Sequence, residues 1–163
     1  MYRRMDKPFK IIRNTRKFLL NHIADLTVDE LNEIPRGFNN NIVWNIGHMI
    51  AAQQNVTYVR AGHKVVVDEA FFLAHKPDTR PQQTFSAAEV AGTKDLFFST
   101  IDRFESDYQK GLFSNYTPWT NRYGVELNTI GEVLAFLPYH EGLHLGYVMA
   151  LKRIVVGARR PIA

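Results

Sequence analysis

Cysteine is absent from the 163-residue chain. This excludes disulfides, thiolate-ligated metals, iron–sulfur clusters and any thiol nucleophile of the protein's own. A chain without thiols suits a reducing compartment, and a cytoplasmic location is expected. Long apolar runs are missing as well. The longest stretch near the end, Tyr147 to Val156, is interrupted by Lys152 and Arg153, and a membrane-spanning helix needs ~20 apolar residues. The basic opening segment lacks both an unbroken apolar run and a small-residue cleavage site, so neither a signal peptide nor a membrane partner is expected. Low-complexity tracts and internal repeats are lacking too. Hydrophobic residues make up 45% and charged residues 22%, which excludes a disordered chain. One domain over residues 1–163 is expected, hiding about 70% of the surface its unfolded form exposes.

Acidic residues are the minority. Lys and Arg number 20 and Asp and Glu 16, a net charge of +4, and seven of the cations fall within the first 17 residues. No aromatic–basic RNA signature or zinc-finger spacing accompanies them. Arg13, Arg16 and Lys17 alternate with Ile12, Phe18 and Leu19 at helical intervals. The cluster therefore reads as a solvated helix face, and no nucleic-acid partner is expected.

What is present is helical periodicity. Phe9, Ile12, Leu19, Leu20 and Ile23 form an apolar stripe over residues 9–24. Thr27 and Glu30 make a capping box ahead of a short helical turn over residues 28–34. The asparagines at 39–41 offer N-caps for a second long helix, from Ile42 to about Arg60, stopped by Gly62. A loop containing His75 follows; Val65-Val66-Val67 is β-prone but too short for a sheet. Ser86 and Glu89 box the start of a third long helix, which ends at Gly111. After a loop over residues 112–128, Thr129 and Glu132 box the fourth, which runs to about Val156 and ends at Gly157. Pro138 falls inside it, where a missing N–H and a ring clash predict a kink or break near residues 134–138. Four long helices joined by long connections predict an all-α helix bundle.

Chemistry concentrates in the histidines. Of six, only His140 and His144 stand four residues apart, on one helix face, where two imidazoles can share a metal ion. The string His140-Glu141-Gly142-Leu143-His144 matches H-E-x-x-H, the zinc-protease signature. No His, Asp, Glu or Cys follows it as a third ligand, Leu145-Gly146-Tyr147 does not begin the extended form, and no sheet edge is expected to hold a peptide. A third ligand must come from upstream. His48 is the best candidate, on a stripe reading Asn41, Asn45, His48, Ala52, Asn55, Val59. The fourth helix matches it with Val133, Leu137, His140, His144, Tyr147, Leu151. Bundles build metal sites from facing helices in this way. Three imidazoles with an open position suit one divalent transition metal, zinc or nickel first, with cobalt or iron acceptable. Glu141 projects about 100° from His140 on a helix, which favours a histidine-orienting role or a surface salt bridge over a general base. Asn45 and Tyr147, one turn from ligands, are pocket candidates. His22 on the first helix, and His63 and His75 in loop-like sequence, read as exposed.

These residues resemble the DinB-like superfamily of helical-bundle proteins over most of the chain. The features are Trp44-Asn-Ile-Gly-His48, His140-Glu-Gly-Leu-His144 and the lead-in Thr129-Ile-Gly-Glu132-Val-Leu. The resemblance implies an up-down-down-up four-helix bundle, a divalent metal on His48, His140 and His144, and a homodimer. It also implies chemistry on a small-molecule electrophile, with a low-molecular-weight thiol or as a hydrolase or isomerase. Many relatives carry Arg-Gly-Gln after the second histidine, and Leu145-Gly146-Tyr147 departs from that. Two functional expectations follow. One is a metal-dependent enzyme of thiol-transferase or hydrolase type that activates a thiolate or water. The other is a non-catalytic metal-binding or interaction bundle, a stress-response module among them.

Overall fold

The computed structural model describes residues 6–157. Helix α1 spans Asp6–His22, α2 Val28–Asn32 and α3 Ile42–Gln54, the last running straight into a π-helical segment, Asn55–Val59. Then come α4 (Glu69–His75), α5 (Ala87–Gln109), a hairpin of β1 (Trp119–Thr120) and β2 (Glu126–Leu127), and α6 (Ile130–Gly157). The architecture is mostly helical. No described helix is long and apolar enough to cross a membrane.

Helix starts follow their caps. Thr27 with Glu30, and Ser86 with Glu89, form complete capping boxes at α2 and α5. Asn41 Oδ1 accepts from the Trp44 N–H at the start of α3. At α6 the expected box is displaced by one residue. Thr129 Oγ1 accepts from the Glu132 N–H as anticipated, but the Glu132 carboxylate takes the N–H of Asn128, not that of Thr129. The chain leaves the α3–π rod through Gly62, whose φ of +77° is a left-handed conformation that a side chain disfavours.

Helix α3 is the centre of the molecule. IVWNIGHMIAAQQ contains no charged residue, and every one of its thirteen residues is buried; a helix with no polar face must be covered on all sides. α5 and α6 pack on it, α4 and α2 cover it elsewhere, and α1 packs on α5 and α6. The core has two apolar clusters. One holds Leu19, Ile23, Met49, Phe97, Val148 and Leu151. The other holds Phe9, Ile12, Tyr58, Phe104, Val133 and Leu137. Lys152 near the end of α6 pairs with Asp25, just beyond the end of α1.

Between the clusters lies a polar layer that the charge pattern did not announce. Arg16 is fully buried, not on a solvated face. Its guanidinium meets both Glu141 oxygens, with a shortest approach of 2.7 Å. It also donates to Gln53 Oε1 at 3.0 Å and to the Phe97 carbonyl at 2.6 Å, and sits over the Phe97 ring at 4.6 Å. Gln53 in turn donates to the Thr100 carbonyl. One cation thus ties together α1, α3, α5 and α6, and its charge is tolerated because every donor finds an acceptor. Arg13 does face outward, where it pairs with Asp102 and Glu105 of α5.

Three expectations are corrected. The stretch read as a loop around His75 contains α4, capped by Asp68 through the Phe71 N–H. The loop over 112–128 contains the β1–β2 hairpin. Of the kink or break expected near residues 134–138, the break is absent: α6 runs through Pro138. Leu134 and Leu137 on one side and Val148 and Leu151 on the other are buried in the two clusters, and that packing outweighs the one backbone bond that proline forfeits.

Candidate metal centre

The site is built where α3 meets α6. Residues four apart on α6 put His140 and His144 on one face, with ring centroids 4.6 Å apart. His48 of α3 comes across at 4.8 Å from His144 and 5.7 Å from His140. The candidate donor nitrogens of the three rings all lie within 4.8 Å of one another. They form the base of a cavity of about 490 Å³ whose walls include Trp44, Asp78, Trp119, Arg122, Tyr123 and Phe136.

The rings are oriented by specific acceptors. His48 Nδ1 lies 2.8 Å from the His75 carbonyl. A carbonyl only accepts, so Nδ1 carries the proton and Nε2 keeps its lone pair. His144 Nδ1 lies 3.0 Å from Asn45 Oδ1. The Asn45 amide donates to the Asn41 carbonyl at 2.7 Å and to Asn40 Oδ1 at 3.1 Å, which fixes Oδ1 as the acceptor and leaves His144 Nε2 free. His140 Nδ1 is buried with no hydrogen-bond partner among the described residues. His48 and His144 thus show the pattern of metal-binding histidines, in which the second ring nitrogen is used to fix the tautomer.

Electrostatics keeps the rings neutral. Burial, then the neighbouring histidines and arginines, push His140 down to about 3. Burial, His48 and Arg122 push His144 down to about 4. His48 is also lowered, chiefly by burial. Three neutral imidazoles held together, one with an unsatisfied buried nitrogen, fit a divalent transition metal of the borderline kind that prefers nitrogen ligands.

Helix α4 makes this possible. Its last carbonyls take His48 Nδ1–H and, at 3.2 Å, the Trp44 indole N–H. Trp44 stacks on the His48 ring at 4.8 Å. The helix approaches α3 over Gly47, where a Cβ would stand 2.3 Å from the His75 ring; only glycine admits this contact. His75 is therefore buried, at 2% exposure, not free in a loop. Its Nδ1 donates to the Phe71 carbonyl. His63 is half-buried against the Leu112 carbonyl, and His22 is half-buried and stacked on Phe18.

The remaining sequence candidates separate. Asn45 bonds His144 from behind the cavity wall, which it does not itself line. Glu141 lies in the bundle core at 0% exposure, bonded to Arg16, and does not line the cavity. Tyr147 is more than one-third exposed, edge-on to Phe38 at 5.7 Å, and is likewise outside the cavity wall. Sequence reasoning missed the hairpin residues Trp119, Asn121, Arg122 and Tyr123 and the turn residue Asp78. The dense run of aromatic and polar residues in 112–128 was the only signal.

None of the curated proteins matches the chain. A family model does, over residues 11–148, a span that includes all three histidines, the whole of α3 and most of α6. The chain belongs to the DinB superfamily.

Proposed function

We propose that the protein is a metal-dependent enzyme of thiol-transferase or hydrolase type acting on a small electrophile. The observation that carries this is the convergence of three neutral histidines, two of them fixed in tautomer, on one open cavity. His48, His140 and His144 would hold one divalent cation, zinc or nickel first. Such a cation supplies Lewis acidity, which lowers the pKa of a water or thiol so that it is a nucleophile at neutral pH. The His75 carbonyl and Asn45 hold two rings in the ligating tautomer. Trp44 walls one side of His48 and limits how water reaches it. Glu141 does not serve as base in this reading, because its carboxylate is committed to Arg16. A closed, four-coordinate structural site would have no need of the cavity, so the enzyme is preferred to a metal staple.

The same reading takes residues 1–163 as one domain, with α1, α3, α5 and α6 as an up-down-down-up bundle. The shared end of α1 and α6 at Lys152 and Asp25 supports that order. A homodimer in the cytoplasm, with no nucleic-acid or membrane partner, completes it.

Elemental analysis of purified protein tests the ligand set. One equivalent of metal is expected, falling to near zero in His48→Ala and His144→Ala with helical circular dichroism unchanged. Wild-type protein that folds and takes up no metal overturns the proposal. Metal-loaded protein is then offered a chromogenic ester, and separately an aryl halide with a small thiol. Turnover of either, abolished by chelation and by His48→Ala, is expected; bound metal without turnover leaves the staple reading.

A further inference from the structure

We propose that the cavity is built for a substrate with an anionic group, which Arg122 at the mouth holds while the other end reaches the three histidines. This rests on the metal-centre reading and names the class of substrate for it. Arg122 lines the same cavity as His48, His140 and His144. It is exposed and makes no hydrogen bond or ion pair among the described residues. Arg13, Arg16 and Arg103 are each engaged by a carboxylate, and among the described arginines without one, Arg122 is the one that lines this cavity. A guanidinium presents a planar fork of donors that matches a carboxylate or similar oxyanion.

The hairpin holds this cation at a defined place. Asn121 Oδ1 accepts from the N–H groups of Tyr123 and Val125 at 2.9 and 3.0 Å, and the Asn121 N–H bonds the Val125 carbonyl. The turn that carries Arg122 is thus fixed around one buried side chain. With both of those bonds on Oδ1, the Asn121 Nδ2 donor is left over. It has no partner among the described residues, although Asn121 is 7% exposed and lines the cavity. Arg60 over the Trp119 ring, at 4.8 Å, braces the strand that leads into this turn.

Asp78 is the one acid on the wall, and Arg122 the one arginine. Trp44, Trp119, Tyr123 and Phe136 give the rest of the cavity an aromatic lining, which fits a flat or apolar body between the two ends.

The test uses cobalt-loaded protein, in which a thiolate bound at the metal is read from its absorption band. The probes are the 3- and 4-isomers of mercaptophenylacetate and their neutral amides. These pairs match in shape and thiol chemistry, and cannot chelate a single ion through both ends. Wild-type protein is expected to bind at least one carboxylate isomer about tenfold more tightly than its amide, the scale of a charge-assisted contact. Added salt should narrow the preference. Arg122→Ala is expected to abolish it while leaving the cobalt spectrum and the melting temperature unchanged. Asp78→Asn is expected to widen it. A carboxylate preference that survives Arg122→Ala, or none in wild type, overturns this inference alone. Failure to bind cobalt overturns the metal-centre reading, and this inference with it.

Discussion

Glu141→Gln is the substitution that most sharply separates architecture from chemistry. Glu141 and Arg16 are both fully buried, and the carboxylate takes three hydrogen bonds from the guanidinium. A glutamine keeps the shape and one acceptor oxygen but removes the charge, leaving the Arg16 guanidinium in the core with neutral acceptors only, the new amide oxygen beside Gln53, Thr100 and the Phe97 carbonyl. Breaking a buried pair from one side costs about 3–5 kcal/mol. A chain of this size loses roughly 2–4 °C of melting temperature per kcal/mol, so a drop of about 10 °C is expected by calorimetry. Arg16→Met paired with Glu141→Leu should recover most of the loss, because two apolar groups in place of a buried ion pair are often neutral. Metal content should stay at one equivalent in Glu141→Gln, because the carboxylate touches none of the three rings. An unchanged melting temperature together with loss of metal or turnover would refute the reasoning and return Glu141 to the chemistry.

Other perturbations reach the site by different routes. The three histidines sit below the 6.5 typical of an unfolded chain, with His140 at about 3 and His144 at about 4. Below pH 6.5 the unfolded state therefore binds protons that the folded state refuses. Stability of the metal-free protein should be flat above that pH and fall as pH drops toward 4, a slope that His140→Gln should reduce in denaturant titrations from pH 4 to 8. Asn45→Ala frees the His144 ring and should weaken metal affinity about 10–100-fold, measured by chelator competition, with the helical signal retained. Gly47→Ala drives a methyl group into His75; the overpacking should cost about 1–3 kcal/mol and weaken metal binding by displacing the carbonyl that His48 uses.

The long helices were readable because their signals are local. Capping boxes at Thr27 and Ser86 and the asparagine cluster before Ile42 are written in adjacent residues, and the i,i+4 histidines follow from one helical period. His48 could be paired with them because the stripe through it carries polar and small residues where a plain core would carry leucine. Arg16 was not readable in that way. A cation at a helical interval looks solvated until its partner, 125 positions away in sequence, is known to face it. His75 and α4 were missed for a related reason. Seven residues are too few for a periodic signal, and Leu73 and Ala74 are exposed while His75 is buried, so the segment has no clean apolar face. The hairpin that carries Arg122 has strands of two residues each, below what alternation can reveal.

The grip of α4 on His48 has a thermodynamic consequence. Whichever nitrogen of that ring faces the cavity is decided by a segment outside the long helices, tethered by connections on both sides. While Glu69–His75 is docked, the Nε2 lone pair is on offer; once it lifts away, the proton can migrate and the ring can turn. Cation affinity and local opening of this latch are then two views of one coupling. The ion must slow amide exchange in residues 69–75 by the same factor by which undocking them loosens the ion.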